Sequence, residues 1–422
     1  MYKLVQLFRG RPQPAVVDSK SKPDTKPTST TTPKPIHTFQ HDNIAHHPLG
    51  GGSYVFKDKL AEHISQSCTK DRITLQIGCQ PNSSPHMGTI VTFAVAFFLA
   101  QSLQREFECE GKRMRQVSVV LDLVDTAPSE QTTLDGVRYQ RSQRFTGEMN
   151  NYMADFLDIL DALSTRTGVE YHVRTQAEFL ADASVPGVLN ELIQNRTTLG
   201  PSLSPKSYKL AILSACPHPD CGLADKDGIN NVYIDDHTSP APTRNQGGKL
   251  ASIQFTCPTH GAYTLDLSNP THVQRLEFNT PLRNLLRAKV LSKSPSTSWV
   301  RVTGADYAGY YQEQLLWRHL HPDEAVETRI VYSPLIVDWS GAKLSKSLYV
   351  KEGAYGYLEA QGMDYLVSYG VFRRAGMDLG VVLDEVEGWV KNPYRLFRSY
   401  SIAYFHALFG KDKPVHGHVG KK

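Results

Sequence analysis

The stretch Ile73-Thr-Leu-Gln-Ile-Gly-Cys-Gln-Pro-Asn-Ser-Ser-Pro-His-Met-Gly-Thr-Ile90 decides the fold. Residues 73–79 alternate in polarity and favour β-branched side chains, the pattern of a strand. Residues 80–85 are polar and turn-forming. The apolar run that follows predicts a helix over 88–103. A strand that passes through a short turn into an apolar helix opens a βαβ unit. The next strand, QVSVVLDLV over 116–124, is almost continuously apolar with a polar end. That is what a parallel sheet covered on both faces requires. Helical patterns at 144–164 and 176–194 bracket a short strand at 169–173, and strands return at 299–304 and 330–338. The rhythm predicts an α/β fold with a doubly wound parallel sheet.

Outward from this centre, the 422-residue chain reads as one large α/β domain with appendages. The expected boundaries are a disordered tail over 1–38 and a first half of the main domain over 39–210. An insertion follows over 211–265, then the second half over 266–352, a helical region over 353–410 and a tail over 411–422. The first tail is Ser/Thr/Pro/Lys-rich and cannot bury enough apolar surface to offset its ordering entropy. Its first residues lack the apolar core and cleavage site of a secretory signal, so a cytoplasmic location is expected. A formal net charge of only +4 means that any nucleic-acid surface is a local patch rather than a global field. The apolar run 90–103 is too short and too interrupted for a membrane span, which leaves it as a buried helix and gives no expected membrane partner.

Chemistry-bearing residues gather at the ends of the strands. Pro85-His86-Met87-Gly88-Thr89 places His86 and Gly88 at a helix N-terminus, where free N–H groups and the dipole favour a phosphate. There His86 can stabilise charge developing at phosphorus, and Gly88 allows an adenine close to the backbone. In Lys343-Leu344-Ser345-Lys346-Ser347, two ammonium groups three residues apart in a Gly/Ser-flanked loop can clamp a departing pyrophosphate. The alternative for that loop is an exposed basic run. Gly304 and Asp306 make a sharp turn with a carboxylate suited to a ribose hydroxyl or an amine, or else to a helix cap. Asp122 and Asp125 end the second strand, where open α/β sheets place ligands, and could hold an ammonium or a cationic side chain.

Cys216, Cys221, Cys257 and His260 have the identity and grouping of a structural Zn²⁺ site, with His218 as a spare ligand. Arg275, Arg283, Arg287, Lys289 and Lys293 fall in one basic segment over 272–291 and its margin. It reads as a solvated helix face or as a contact for RNA phosphates.

The two short motifs, in this order, resemble the HIGH and KMSKS signatures of class I aminoacyl-tRNA synthetases. With CQPNSSPHMGT, VVLDLVD, VTGAD and GAKLSKS, residues 54–350 look most like the catalytic half of an archaeal-type class I lysyl-tRNA synthetase. The resemblance implies a Rossmann-like domain with a zinc-ribbon-like insertion, ATP with Mg²⁺, and an aminoacyl-tRNA acceptor end as partner. His86 and Gly88 would then bind ATP, Lys343 and Lys346 pyrophosphate, and Asp306 the adenosine or the amino acid. The chain has Ser83 where that family has Gly, and Thr89 where it usually has Asn. Residues 348–422 are short for the family's anticodon-binding region.

A synthetase domain without an anticodon reader is similar to the cyclodipeptide synthases, and its length and cationic substrate fit the fungal arginine-containing kind. The leading expectation is therefore an aminoacyl-tRNA-dependent transferase of secondary metabolism, joining an arginyl group to a second aminoacyl group. Ser83 or Ser84 would be its nucleophile, as in the bacterial enzymes. The alternative is an ATP-dependent ligase or activator of lysine or arginine.

Overall fold

The computed structural model describes residues 59–108, 115–234, 252–344, 355–396 and 398–410. Lys346 and its two flanking serines, together with both expected tails, lie outside the described residues.

Five parallel strands form the central sheet: β1 (Arg72–Cys79), β2 (Gln116–Leu123), β3 (Tyr171–Arg174), β4 (Thr297–Gly304) and β5 (Arg329–Ser333), in the order β5-β4-β1-β2-β3. Helix α1 (Met87–Glu108) crosses over from β1 to β2. The order reverses between β1 and β4, because β2 and β3 extend one way and β4 and β5 the other. That reversal is where a doubly wound sheet opens a crevice beyond its strand ends.

The two faces of the sheet carry different chemistry, and the period-2 alternation of each strand decides which. Ile73, Leu75 and Ile77 of β1 join Val119 and Leu121 of β2 in an apolar core against α1 and helix α2 (Asn150–Thr167). On the other face lie Thr74, Gln76, Ser118 and Asp122, where Thr74 pairs with Ser118 and Gln76 Nε2 donates to Asp122 Oδ2 at 2.8 Å. β5 splits likewise: Val331 packs into the first core, while Ile330 and Tyr332 pack into a second, beneath helix α3 (Thr280–Ser292). Both faces are thus covered, as the apolar strands predict.

Helix α1 is long and apolar enough to cross a membrane, yet it is largely buried inside the protein. Phe93, Phe97 and Phe98 sit in the core that it shares with helix α4 (Leu379–Lys391), including Trp389. The C-terminal helices therefore close the same core as the sheet, and residue 353 does not separate two hydrophobic cores.

Three local readings change. Residues 128–142 form a hairpin, Pro128–Leu134 with Val137–Ser142, that the sequence pattern left unassigned. Its turn is Asp135-Gly136, both at positive φ (49° and 77°), the requirement of the tight turn that best fits hairpin twist. The basic segment is not one helix. A short strand, Leu276–Phe278, pairs antiparallel with Ile212–Ser214 before α3 begins at Thr280. Asn279 caps α3 by accepting from the Leu282 N–H, with Pro281 in the first turn, so the helix start is fixed locally. The helix expected over 176–194 is two, Gln176–Leu180 and Val185–Gln194.

Candidate active site at the sheet crossover

A cleft of about 950 Å³ opens at the reversal point between β1 and β4. The loop after β1, the start of α1, the hairpin, α3 and the loop carrying Lys343 line it. His86 begins α1: its carbonyl accepts from the N–H groups of Thr89 (2.8 Å) and Ile90 (3.2 Å). Its ring Nδ1 accepts from Thr89 N–H at 3.3 Å, which leaves Nε2 as the ring nitrogen able to donate. Gly88 suits this arrangement, because a Cβ there would lie 2.9 Å from His86 Cε1 and push the ring aside. The glycine makes room for the imidazole as well as for any ligand.

Across the cleft, a tight turn after residues 336–337 brings Lys343 back beside Val337. Asp338 shapes that turn: Oδ1 accepts from Ser340 N–H at 2.8 Å, and its own N–H donates to Ala342 O. Lys343 Nζ then reaches Asp306 Oδ2 at 2.5 Å. Gly304 leaves room for this carboxylate, since a Cβ on it would collide with Asp306 Oδ1 and make the side chain rotate. His86, Gly88, Gly304, Asp306 and Lys343, drawn from two distant parts of the sequence, line one cleft.

Asp122 and Asp125 are placed differently. Asp122 is fully buried, with Oδ1 2.7 Å from Arg174 Nε, and neither aspartate lines the cleft. Asp125 accepts from the Gln176 N–H at 3.3 Å, and burial pushes its carboxyl above the usual range. Both carboxylates serve protein groups behind the cleft wall.

The two serines also separate. Ser84 Oγ donates to Asp155 Oδ2 at 2.6 Å and accepts from Gly370 N–H at 2.9 Å. With Tyr369 N–H bonded to Pro85 O, it ties the loop before α1 to the C-terminal region. Ser83 lines the cleft, and its buried Oγ has no hydrogen-bond partner among the described residues.

The basic segment is not a single solvated helix face. Lys289 is buried against Glu191 (2.8 Å) and Glu324 (2.7 Å), while Lys293 is only half-exposed beside the same two carboxylates. Arg275 lies over the Tyr263 ring. Arg283 and Arg287, one helical turn apart on α3, point to the cleft instead, where Arg301 of β4 joins them. Arg301 and the hairpin are parts of the site that motif reading missed. The Asp135-Gly136 turn was the signal for the hairpin, whereas Arg301 sits inside β4 with no motif around it.

Away from the cleft, Cys216, Cys221, Cys257 and His260 bring one ligand atom each to within 4.8 Å of one another. Cys216 Sγ is 3.5 Å and Cys257 Sγ 3.6 Å from His260 Nδ1, and the Cys221 and Cys257 sulfurs are 3.6 Å apart. Tetrahedral bonds of about 2.3 Å to sulfur and about 2.0 Å to nitrogen give edges of roughly 3.5–3.8 Å, so the four atoms fit one metal ion. A disulfide would need sulfurs about 2 Å apart. His218 is not a fifth member; its ring stacks on that of His260 at 4.1 Å. The cysteine turn at 257–261 joins two strands of an antiparallel three-stranded sheet, Val232–Ile234, Ser252–Cys257 and Gly261–Asp266.

No protein-family model and no curated protein matches the chain. Among solved structures, it is similar to the glutamate-tRNA synthetase of Elizabethkingia anophelis, at 12% identity over 66% of this chain and 54% of that one, with a TM-score of 0.28. It is also similar to the arginyl-tRNA synthetase of Thermus thermophilus, at 10% identity over 82% of this chain and 64% of that one, with a TM-score of 0.27. The chain thus spans about half the length of the glutamate enzyme. These likenesses are slight, and the cleft's own residues carry the functional reading.

Proposed function

We propose that the cleft activates an amino acid with ATP and passes it to the acceptor end of a tRNA, as class I aminoacyl-tRNA synthetases do. The observation that carries this reading is the placement of His86, on the N-terminus of α1, in one cleft with Lys343 and Asp306 at the sheet's reversal point. In this reading the triphosphate lies against the α1 N-terminus, where the positive end of the helix dipole and the His86 ring face its oxygens. The amino-acid carboxylate attacks the α-phosphate, and the bond to pyrophosphate breaks. Lys343 leaves Asp306 to neutralise the departing pyrophosphate, aided by Lys346, and Mg²⁺ accompanies the nucleotide. Asp306, once released, is positioned for the ribose or the amino group.

The Cys216, Cys221, Cys257 and His260 cluster is assigned a Zn²⁺ ion. Four protein ligands leave no open position on such an ion, so its contribution is to folding of the insertion rather than to the reaction.

A second reading, the cyclodipeptide synthase, is favoured by one observation, the unpartnered Ser83 Oγ in the cleft. In that reading Ser83 takes the aminoacyl group from an aminoacyl-tRNA, and its proton passes to the released ribose oxygen. The amine of a second aminoacyl group then displaces the serine, and the free amine of the resulting dipeptidyl-tRNA attacks its own ester, closing the ring and releasing the second tRNA. The phosphate-handling residues favour the ATP-dependent reading, since an aminoacyl ester is already activated. Incubating the protein with ATP, amino acids and tRNA, and separately with preformed aminoacyl-tRNAs without ATP, distinguishes the two. Charged tRNA in the first supports the ligase; a cyclic dipeptide in the second replaces it with the transferase.

A further inference from the structure

The cationic substrate expected from Asp122 and Asp125 does not fit the charge that faces the cleft. Arg283, Arg287, Arg301 and Lys343 line it, against the carboxylates of Asp306 and Glu148, and Asp306 is already bound to Lys343. Arg283 is 95% buried, its exposure being 5%, and its partners are neutral: Phe278 O at 3.3 Å and Thr280 Oγ1 at 3.2 Å. Its Nε has no hydrogen-bond partner among the described residues. Arg287, equally buried, donates to Gln176 Oε1, and its Nε also lacks a hydrogen-bond partner, with Asp122 3.6 Å away in a looser ion pair. Asp122 is shared, being held more closely by Arg174. Arg301 lies over the Tyr307 ring at 5.6 Å and has no carboxylate partner among the described residues.

Buried cations without a matching anion are costly, and a protein that keeps them pairs them with something. Burial, then the neighbouring guanidinium of Arg287, pulls Arg283 down to about 10, and burial pulls Arg287 down as well. Arg283 has no carboxylate partner among the described residues, and Arg287 shares Asp122 with Arg174.

We infer that the wall formed by Arg283, Arg287 and Arg301 is a subsite for an oxyanion, a carboxylate or a phosphate, of the substrate. The planar guanidinium fork suits either group. A carboxylate source would be an acidic amino-acid side chain, and a phosphate source would be the nucleotide or the RNA end. Naming a substrate class in this way rests on the activation reading above.

The test is calorimetric titration of the full chain with L-glutamate, L-aspartate, inorganic phosphate, L-lysine and L-arginine, each with and without ATP. Binding of glutamate or aspartate, weakened at least tenfold in Arg301→Met and retained in ATP, supports the inference with a carboxylate source. Phosphate binding that ATP displaces and Arg301→Met weakens supports it with a phosphate source. Arg301 is part-exposed, so that variant keeps the fold; Arg283→Lys provides a second variant that preserves the buried charge while losing the fork. Failure of every anion to bind, or lysine or arginine binding unaffected by these changes, overturns it. Amino-acid-dependent pyrophosphate exchange on the same preparation separates the two claims. Exchange with lysine or arginine keeps the activation reading and removes the carboxylate source. The same exchange with no anion-sensitive effect of Arg301→Met removes the subsite. Anion binding without exchange keeps the subsite and removes the activation reading.

Discussion

Lys343 Nζ lies 2.5 Å from Asp306 Oδ2, and this pair joins the loop after β5 to the turn after β4 across the mouth of the cleft. Both side chains are partly exposed, at 42% and 30%. An exposed pair of this kind contributes about 0.5 kcal/mol to stability. A cation of the same kind, aimed at charge that develops during reaction, contributes far more to rate. Lys343→Met should therefore leave the denaturation midpoint almost unchanged while lowering the rate of adenylate formation roughly 100-fold. Equal losses in stability and rate would make the pair structural.

Gly88→Ala tests the packing at the start of α1. The new Cβ would come 2.9 Å from the His86 ring, so the imidazole must swing away from the helix N-terminus. ATP affinity should fall by about tenfold or more, as expected when one hydrogen bond to a charged group is lost. The circular dichroism of the variant should match the parent, because the helix interior is untouched.

The two neighbouring serines should part company. Ser84→Ala removes a hydrogen bond to a carboxylate and strands the Gly370 N–H, a loss of about 1–2 kcal/mol in urea denaturation. Ser83→Ala removes an Oγ with no hydrogen-bond partner among the described residues, so stability should hold. If Ser83→Ala also abolishes a dipeptide product from aminoacyl-tRNAs, the transferase reading gains its nucleophile.

The stretch 73–90 gave β1, its turn and α1 because local polarity alternation and the His-x-Gly motif are both short-range signals. The convergence of His86 with Lys343 was legible for the same reason, through two motifs of fixed order. What stayed hidden depends on side-chain direction after folding. Asp122 ends a strand, as ligand-binding carboxylates do, but the alternation of β2 turns it onto the polar face beside Gln76 and Arg174. The arginines of α3 looked like a solvated stripe; only the packing of α3 beneath the sheet shows that two of them face the cleft. The C-terminal helices read as a separate bundle because sequence periodicity says which face is apolar, not which core that face joins.

Metal content offers an independent check on the insertion. Purified under reducing, chelator-free conditions, the protein should carry one zinc per chain by mass spectrometry. Cys257→Ser should lose the ion. Because metal binding is coupled to folding, strong chelation should lower the melting temperature by several degrees or more, with recovery on adding Zn²⁺. Full stability without metal would remove the structural role assigned to it.

The central claim is that the cleft between β1 and β4 forms an aminoacyl adenylate, and amino-acid-dependent exchange of labelled pyrophosphate into ATP reads that step directly. The full set of amino acids should be screened with the parent protein, Lys343→Met and Gly88→Ala. The account predicts exchange with one amino acid or a small class, and its near-complete loss in Lys343→Met. No exchange with any amino acid, alongside product formation from aminoacyl-tRNAs without ATP, would contradict it.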